Sequence, residues 1–168
     1  MKFIQITQKN IEDWREVIPP TVVKELNDWG ENLAEGYFCI GAKEKKKNVG
    51  AIIAEHELGT GDLIILSLFI APPERRKGYG TALLKKLCDL AYALCDWEKG
   101  EYGRDVFLKC FYSFSGSSME VCEAFLEESG FTEFYLMEGE GGDSIRGATA
   151  QLHFSRPSEY YNPDLYED

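Results

Sequence analysis

Short stretches of alternating or continuous apolar residues, bounded by glycine, proline or polar turns, predict seven β-strands. They cover residues 1–7, 37–43, 49–58, 63–70, 106–112, 131–137 and 145–154. The stretch 63–70 is almost entirely apolar, which is typical of a central strand that is covered on both faces. We therefore expect a sheet with this strand near its middle.

Apolar residues three and four positions apart predict four helices between the strands. They cover residues 11–18, 22–34, 80–96 and 119–128. Asn10 and Thr21 are placed to cap the first two helices, and Gly130 is placed to end the last one in a left-handed conformation. We expect one domain over residues 1–154 and a C-terminal tail at 155–168.

Three loops are strongly charged or rich in glycine. The lysine-rich turn at 43–47 is interpreted as a solvated hairpin tip and not as a binding patch. Residues 59–62 predict a second hairpin turn, and residues 138–144 form an acidic, glycine-rich loop. The acidic loop could attract a cationic ligand or simply be solvated.

Charge and composition narrow the functional classes. The 168 residues include 18 basic and 29 acidic ones, for a formal net charge of −11, which argues against nucleic-acid binding. The five cysteines form no C-x-x-C pair and the two histidines lack ligand spacing, so we expect a reducing compartment and no metal. No apolar run approaches the ~20 residues of a membrane span, and residues 1–7 lack the apolar core of a signal peptide. We expect a cytoplasmic protein that does not contact a membrane.

The segment after the central strand predicts a site for phosphate. Pro72 and Pro73 end the strand, and a basic turn at residues 75–80, RRKGYG, opens directly into a helix. The first N–H groups of a helix have no backbone partner, and together with the helix dipole they favour an anion. Gly78 and Gly80 lack a Cβ, so a ligand can approach the backbone. Charge, glycines and helix start coincide, which favours phosphate binding over a merely solvated turn.

This strand, turn and helix resemble the acetyl-CoA-binding segment of the GNAT N-acetyltransferase superfamily. Residues 75–80 match the family pattern Q/R-x-x-G-x-G/A, and the preceding strand end at 68–70, Pro72 and the helix start at 81–84 are similar as well. The helix end that leads into Gly130-Phe131 is a second similarity, and the order of elements matches over nearly the whole chain. The resemblance implies an α+β (α/β sandwich) fold, with a mixed, mostly antiparallel sheet of about seven strands flanked by about four helices.

The resemblance also implies an N-acetyltransferase that moves an acetyl group from acetyl-CoA, its co-substrate, to a primary amine of a small molecule or peptide. The pantetheine arm is expected to pair with backbone groups of Leu68, Phe69 and Ile70, in a gap where strands 63–70 and 105–112 splay apart. A homodimer through the last strands is common in the family. The pyrophosphate is expected at the turn, on the charge of Arg75 and the backbone N–H groups of Arg76, Lys77, Gly78, Tyr79, Gly80 and Thr81.

The chain departs from the family in its proton-transfer residues. Many members carry an asparagine early in the last helix and a tyrosine near its end, but alignment on Gly130 places Met119 and Leu126 there. Leucine cannot donate a proton, so the usual general acid is missing. Tyr112 is one replacement, although a half-buried strand aromatic is the plainer interpretation. Ser118 is interpreted as a helix-capping residue that could also contact the cofactor.

The general base is open as well. Acetyl transfer needs a neutral amine, so a carboxylate or histidine is expected near the thioester. Strand 63–70 contains neither, whereas the neighbouring strand offers Glu55 and His56 on opposite faces; an exposed strand end is the competing interpretation of both residues.

The missing tyrosine leaves a second functional class open, an acyl-CoA-binding sensor or structural protein without turnover. A nucleotide-binding module is disfavoured, because its phosphate and ribose motifs are missing from the sequence.

Overall fold

The computed structural model describes residues 1–29, 36–57, 61–94, 106–112, 117–138 and 144–152. The predicted tail at 155–168 and most of the acidic loop at 138–144 lie outside these residues. So do residues 30–34 and 95–96 of two predicted helices and the tip of the second hairpin turn.

Seven strands form one sheet in the order β1-β2-β3-β4-β5-β7-β6. Neighbouring strands are antiparallel except β4 and β5, which run parallel. The α+β class and the mostly antiparallel seven-stranded sheet are therefore confirmed. The strands are β1 (Lys2–Gln5), β2 (Tyr37–Glu44), β3 (Lys47–His56), β4 (Leu63–Ile70), β5 (Val106–Tyr112), β6 (Glu133–Glu138) and β7 (Ser144–Leu152).

The described residues contain three α-helices, one fewer than predicted: α1 (Pro20–Trp29), α2 (Tyr79–Leu94) and α3 (Ser117–Glu128). The predicted helix at 11–18 is instead a single 3-10 turn, Ile11–Trp14. Ile11 and Trp14 of this turn and Val17 after it are buried and recur every three positions, which is the period of a 3-10 helix.

Both predicted caps at the start of the chain are wrong. The side-chain oxygen of Asn10 accepts a hydrogen bond from the Thr7 N–H at 2.8 Å, and it makes no bond to the turn that follows. Helix α1 begins at Pro20, and its first bond runs from the Val23 N–H to the Pro19 carbonyl at 3.0 Å. Proline is favoured at a first helical position because it has no N–H that needs a partner.

The end of α3 follows the prediction. Gly130 has a φ of +93°, and its N–H donates to the Glu127 carbonyl at 3.1 Å. The next N–H, of Phe131, donates to the Leu126 carbonyl at 3.0 Å, which completes a Schellman motif.

Helices cover both faces of the sheet. On one face α2 and α3 contribute Leu87 and Leu126 to the larger core cluster. On the other face α1 and the 3-10 turn form a second cluster that includes Leu26. Strand β4 supplies Ile65 to the first cluster and Phe69 to the second, so it is the doubly covered central strand that its apolar sequence predicts.

Candidate active site

The sheet opens between its two parallel strands. β4 and β5 pair over three positions only, the last of which sets Ile65 opposite Cys110. Beyond that point β4 continues to Ile70 beside β3 alone, and β5 continues to Tyr112 beside β7 alone. The separation predicted for these strands is therefore seen, and we call the opening the β4–β5 gap.

The closed end of the gap is fixed by Asp62. Its carboxylate accepts a hydrogen bond from the Phe107 N–H at 3.1 Å and pairs with Lys109 Nζ at 2.6 Å. Its side chain is only 3% exposed, so these contacts act away from water. The sequence placed Asp62 in a hairpin turn, and no local signal indicated that it joins β4 to β5.

The backbone of β4 presents a free edge to the gap. The Ala71 N–H donates to the Val49 carbonyl of β3 at 2.9 Å. Because peptide groups alternate in direction along a strand, those of Phe69 face β3 and those of Leu68 and Ile70 face the gap. A hydrogen bond from Arg75 Nε to the Ile70 carbonyl, at 3.0 Å, is consistent with an Ile70 carbonyl that points away from β3.

The open end of the gap leads to the start of α2. The Gly78 carbonyl accepts the first helical bond, from the Ala82 N–H at 3.0 Å. The N–H groups of Tyr79, Gly80 and Thr81 therefore belong to the first turn and have no partner within the helix. Such a turn is suited to an anion.

The turn before α2 has an unusual backbone. Arg76 has a φ of +63° and Gly78 a φ of +81°, whereas Lys77 between them does not have a positive φ. An alternation of this kind can turn successive N–H groups toward one side and form a concave anion site. A Cβ built at Gly78 would meet no heavy atom within 4 Å, so the space in front of this backbone is open.

The three cations of the turn are held differently. The Arg75 guanidinium lies 5.7 Å from the centre of the Phe69 ring, in a cation–π contact at the end of β4. Lys77 Nζ pairs with Glu74 Oε2 at 2.8 Å, and hydrogen bonds from Lys77 and then Lys47 hold the pKa of Glu74 below its usual range. Arg76 is exposed and makes no ion pair within the described part of the chain.

Tyr112 lies at the end of β5 and is tied to α3. Its hydroxyl donates to Glu123 Oε1 at 2.9 Å, and the same oxygen accepts from Arg146 Nε at 2.6 Å. Burial, followed by the bond to Glu123, raises the pKa of Tyr112 to about 12. Leu126 is 5% exposed and packs in the core, and Ser118 is exposed in the first turn of α3. Glu123 and Arg146 were missed from sequence, because the register of β5 with β7 places Arg146 opposite Tyr112 and the packing of α3 brings Glu123 to both.

The two candidate bases lie one strand away from the closed end of the gap. Glu55 is opposite Ile64 of β4, and His56 is opposite Leu63. The His56 ring lies 5.8 Å from the Phe38 ring, and burial lowers the pKa of His56 from its ordinary value of 6.5. His56 is therefore mainly neutral at neutral pH, the form that can accept a proton.

A cluster of aromatic and acidic side chains lies beside Glu55. The Tyr37 hydroxyl donates to Glu25 Oε1 of α1 at 2.9 Å, and the Trp29 ring meets the Tyr37 ring edge-on at 5.1 Å. Burial, then Glu25 and then Glu55 raise the pKa of Tyr37. Glu25 and Tyr37 were not identified from the sequence, because they come together only through the packing of α1 on β2.

The described cysteines show no activated nucleophile. Cys39, Cys88, Cys110 and Cys122 are free, and burial raises the pKa of each thiol, to about 12 at Cys39 and about 11 at Cys88. A thiol with a raised pKa is a poor source of nucleophilic thiolate. Within the described ranges no group of His, Cys, Asp and Glu is arranged to hold a metal ion, and no helix is long and apolar enough to span a membrane.

Comparisons with known proteins agree with this geometry. The model of the acetyltransferase (GNAT) family matches residues 3–101. The ribosomal-protein-S18-alanine N-acetyltransferase from Escherichia coli is 15% identical with a TM-score of 0.64, covering 95% of this chain and 99% of its own. An aminoglycoside 6′-N-acetyltransferase complexed with coenzyme A is 12% identical with a TM-score of 0.62, covering 90% and 97%. PaiA N-acetyltransferase from Thermoplasma acidophilum, also in complex with coenzyme A, is 14% identical with a TM-score of 0.55, covering 90% and 98%. No curated protein matches the sequence.

Proposed function

The chain belongs to the acetyltransferase (GNAT) family, and we propose that it is an N-acetyltransferase that moves an acetyl group from acetyl-CoA to a primary amine of a small molecule or protein. The observation that carries the proposal is the three-position pairing of β4 and β5, which opens a gap that ends at the start of α2. A free strand edge followed by a helix N-terminus suits a ligand with an amide-containing arm and a pyrophosphate.

The residues of this chain fit acetyl-CoA as follows. The pyrophosphate binds the N–H groups of the turn, with open space at Gly78 for its approach. The pantetheine amides pair with the gap-facing peptide groups of Leu68 and with the N–H of Ile70, whose carbonyl accepts a bond from Arg75. Phe69 contributes its ring, which holds the Arg75 guanidinium near the phosphates. The thioester then lies at the closed end of the gap, where Leu66 forms a bulge between the pairs of Ser67 and Ile65 with β3.

The reaction is a direct transfer. The lone pair of the neutral amine attacks the thioester carbonyl carbon, a C–N bond forms, the C–S bond breaks and coenzyme A leaves as the thiolate. The amine proton passes to a base, for which Glu55 and His56 are the candidates, directly or through water. The raised thiol pKa values of the described cysteines favour this route over an acetyl-cysteine intermediate.

The leaving thiolate does not require an acidic side chain, because a thiolate can depart as the anion and take a proton from solvent afterwards. Burial and the bond to Glu123 raise the pKa of Tyr112 to about 12, which makes its hydroxyl a weaker proton donor than an ordinary tyrosine. The Tyr112 hydroxyl is also engaged with Glu123. Tyr112 therefore remains the second choice as general acid.

Release of free thiol from acetyl-CoA tests the proposal. A panel of polyamines, amino acids, aminoglycosides and peptides should include at least one amine that accelerates thiol release, and calorimetry should detect acetyl-CoA binding. Absence of binding at millimolar acetyl-CoA would refute the proposal.

A non-catalytic acyl-CoA sensor is the second candidate. It is favoured by Leu126, which is buried at the position where the family often has a tyrosine, and by the engaged hydroxyl of Tyr112. Tight acetyl-CoA binding with no amine-dependent thiol across the whole panel would support the sensor over the enzyme.

A further inference from the structure

The lysine-rich hairpin tip between β2 and β3 lies against the phosphate turn. Lys47 Nζ pairs with Glu74 Oε1 at 3.2 Å, while Lys77 Nζ pairs with the other oxygen of the same carboxylate at 2.8 Å. Glu74 thus joins the hairpin to the turn, and its side chain is only 15% exposed. The hairpin tip is therefore held beside the start of α2.

A cavity of about 600 Å³ lies between these two segments. Its walls include Lys45, Lys46 and Lys47 from the hairpin and Lys77 and Tyr79 from the turn and α2. The cavity is an open depression of the surface, so a group bound there would remain in contact with solvent.

The charge of the cavity is unbalanced. Its two carboxylates are already paired, Glu74 with two lysines and Glu44 with the Met1 amino group at 3.1 Å. Lys45 and Lys46 are exposed and form no ion pair with any part of the chain that the structure describes. Two uncommitted ammonium groups therefore face one cavity, in a chain whose formal net charge is −11. This arrangement favours a dianion.

We propose that this cavity binds the 3′-phosphate of coenzyme A through Lys45 and Lys46. The inference rests on the proposed function, because it needs the pyrophosphate to lie on the turn. Lys77 and Tyr79 belong to both the turn and the cavity wall, so a pyrophosphate on the turn places the attached ribose at the cavity. The 3′-phosphate is a monoester dianion on that same ribose, and it matches the surplus of positive charge. The lysine run is then a binding element, in contrast to the solvated tip predicted from sequence.

Calorimetry with coenzyme A and 3′-dephospho-coenzyme A tests this inference. The two ligands differ only in the phosphate monoester. Wild-type protein should bind coenzyme A about tenfold more tightly, as expected for a dianion that meets two exposed cations. The double variant Lys45→Gln/Lys46→Gln should lose most of this preference and bind 3′-dephospho-coenzyme A as the wild type does. The matched control, Lys9→Gln/Lys24→Gln, makes the same change in net charge at exposed positions outside the cavity wall and should keep the preference.

The possible failures are distinguishable. Equal affinity of the wild type for the two ligands would overturn the 3′-phosphate site and leave the acetyl-CoA proposal standing. A preference that survives in the Lys45→Gln/Lys46→Gln variant would also overturn it, because the phosphate would then bind elsewhere. If neither ligand binds the wild type, the proposed function fails and this inference fails with it.

Discussion

Replacement of Gly78 by alanine separates a binding role of the turn from a structural one. Gly78 has a φ of +81°, and a Cβ added there would meet no heavy atom within 4 Å. The folded protein therefore has space for the methyl group, and the structural cost is the left-handed backbone. That cost is roughly 1–2 kcal/mol for a residue with a Cβ.

Gly130 supplies a matched control within the same chain. Its φ is +93°, and a Cβ there would also meet nothing within 4 Å. Gly130→Ala should therefore lose a similar ~1–2 kcal/mol, seen as a fall in Tm of roughly 2–4 °C per kcal/mol for a chain of this size. Urea denaturation of both variants without ligand should give similar losses.

Acetyl-CoA binding should distinguish the two variants. In Gly78→Ala the methyl group occupies the space in front of the turn and weakens hydrogen bonds to a charged phosphate, each worth about 1.5–3 kcal/mol. We expect at least a tenfold rise in Kd by calorimetry for Gly78→Ala and less than a twofold change for Gly130→Ala. Gly78→Glu should abolish binding, since it adds a repelling carboxylate. Wild-type affinity in Gly78→Ala, together with the same loss of stability as Gly130→Ala, would exclude the turn as the pyrophosphate site.

Three further outcomes follow from particular contacts. Gly41→Ala should destabilise the fold by about 1–3 kcal/mol in urea denaturation, because the new Cβ would overlap the buried Trp14 ring; an unchanged midpoint would contradict that packing. Tyr112→Phe should lower stability by about 1 kcal/mol through the lost bond to Glu123 and reduce turnover less than tenfold, whereas a loss of ~10²-fold would identify Tyr112 as the general acid. Burial lowers the pKa of His56, so below about pH 6.5 the unfolded chain binds more protons than the folded one. The free energy of unfolding of the wild type should therefore decrease as the pH is lowered below about 6.5, and it should decrease less in His56→Gln. Identical pH profiles for the two proteins would refute this.

The sequence predicted the strands well because their burial pattern is local. All seven predicted strands are present, and β4 and β5 have the predicted bounds. The prediction of an α-helix at 11–18 was wrong because a three-residue spacing of apolar positions fits both a short α-helix and a 3-10 turn. The prolines at 19 and 20 also limit this segment to about eight residues, a length at which helix propensity alone gives little stability.

The candidate site could be predicted only where its functional residues are adjacent in the sequence. The turn at 75–80 carries its glycines, charges and helix start within six residues, so a motif could identify it. The Tyr112–Glu123–Arg146 contacts come from β5, α3 and β7, and those between Glu25 and Tyr37 come from α1 and β2. Strand register and helix packing decide such contacts, and neither can be found from the spacing of residues along the chain.

The β4–β5 gap was expected from a resemblance and could not be derived from hydrophobic pattern, for a physical reason. The continuous apolar sequence of β4 indicates that both faces of the strand are buried, and this holds whether or not its edges are paired with other strands. Whether an edge of the strand is paired depends on its backbone hydrogen bonds, which the side-chain pattern does not report. A central strand with unpaired peptide groups leaves donors and acceptors that need partners. Asp62 fixes β5 to the start of β4, and beyond the last β4–β5 pair the peptide groups of Leu68 and the N–H of Ile70 face the gap, while the Ile70 carbonyl accepts a bond from Arg75. A ligand arm that carries its own amides can satisfy these groups as a strand would, so its binding extends the sheet and should stabilise the fold by about 2.7 kcal/mol when acetyl-CoA is at 100 times its Kd.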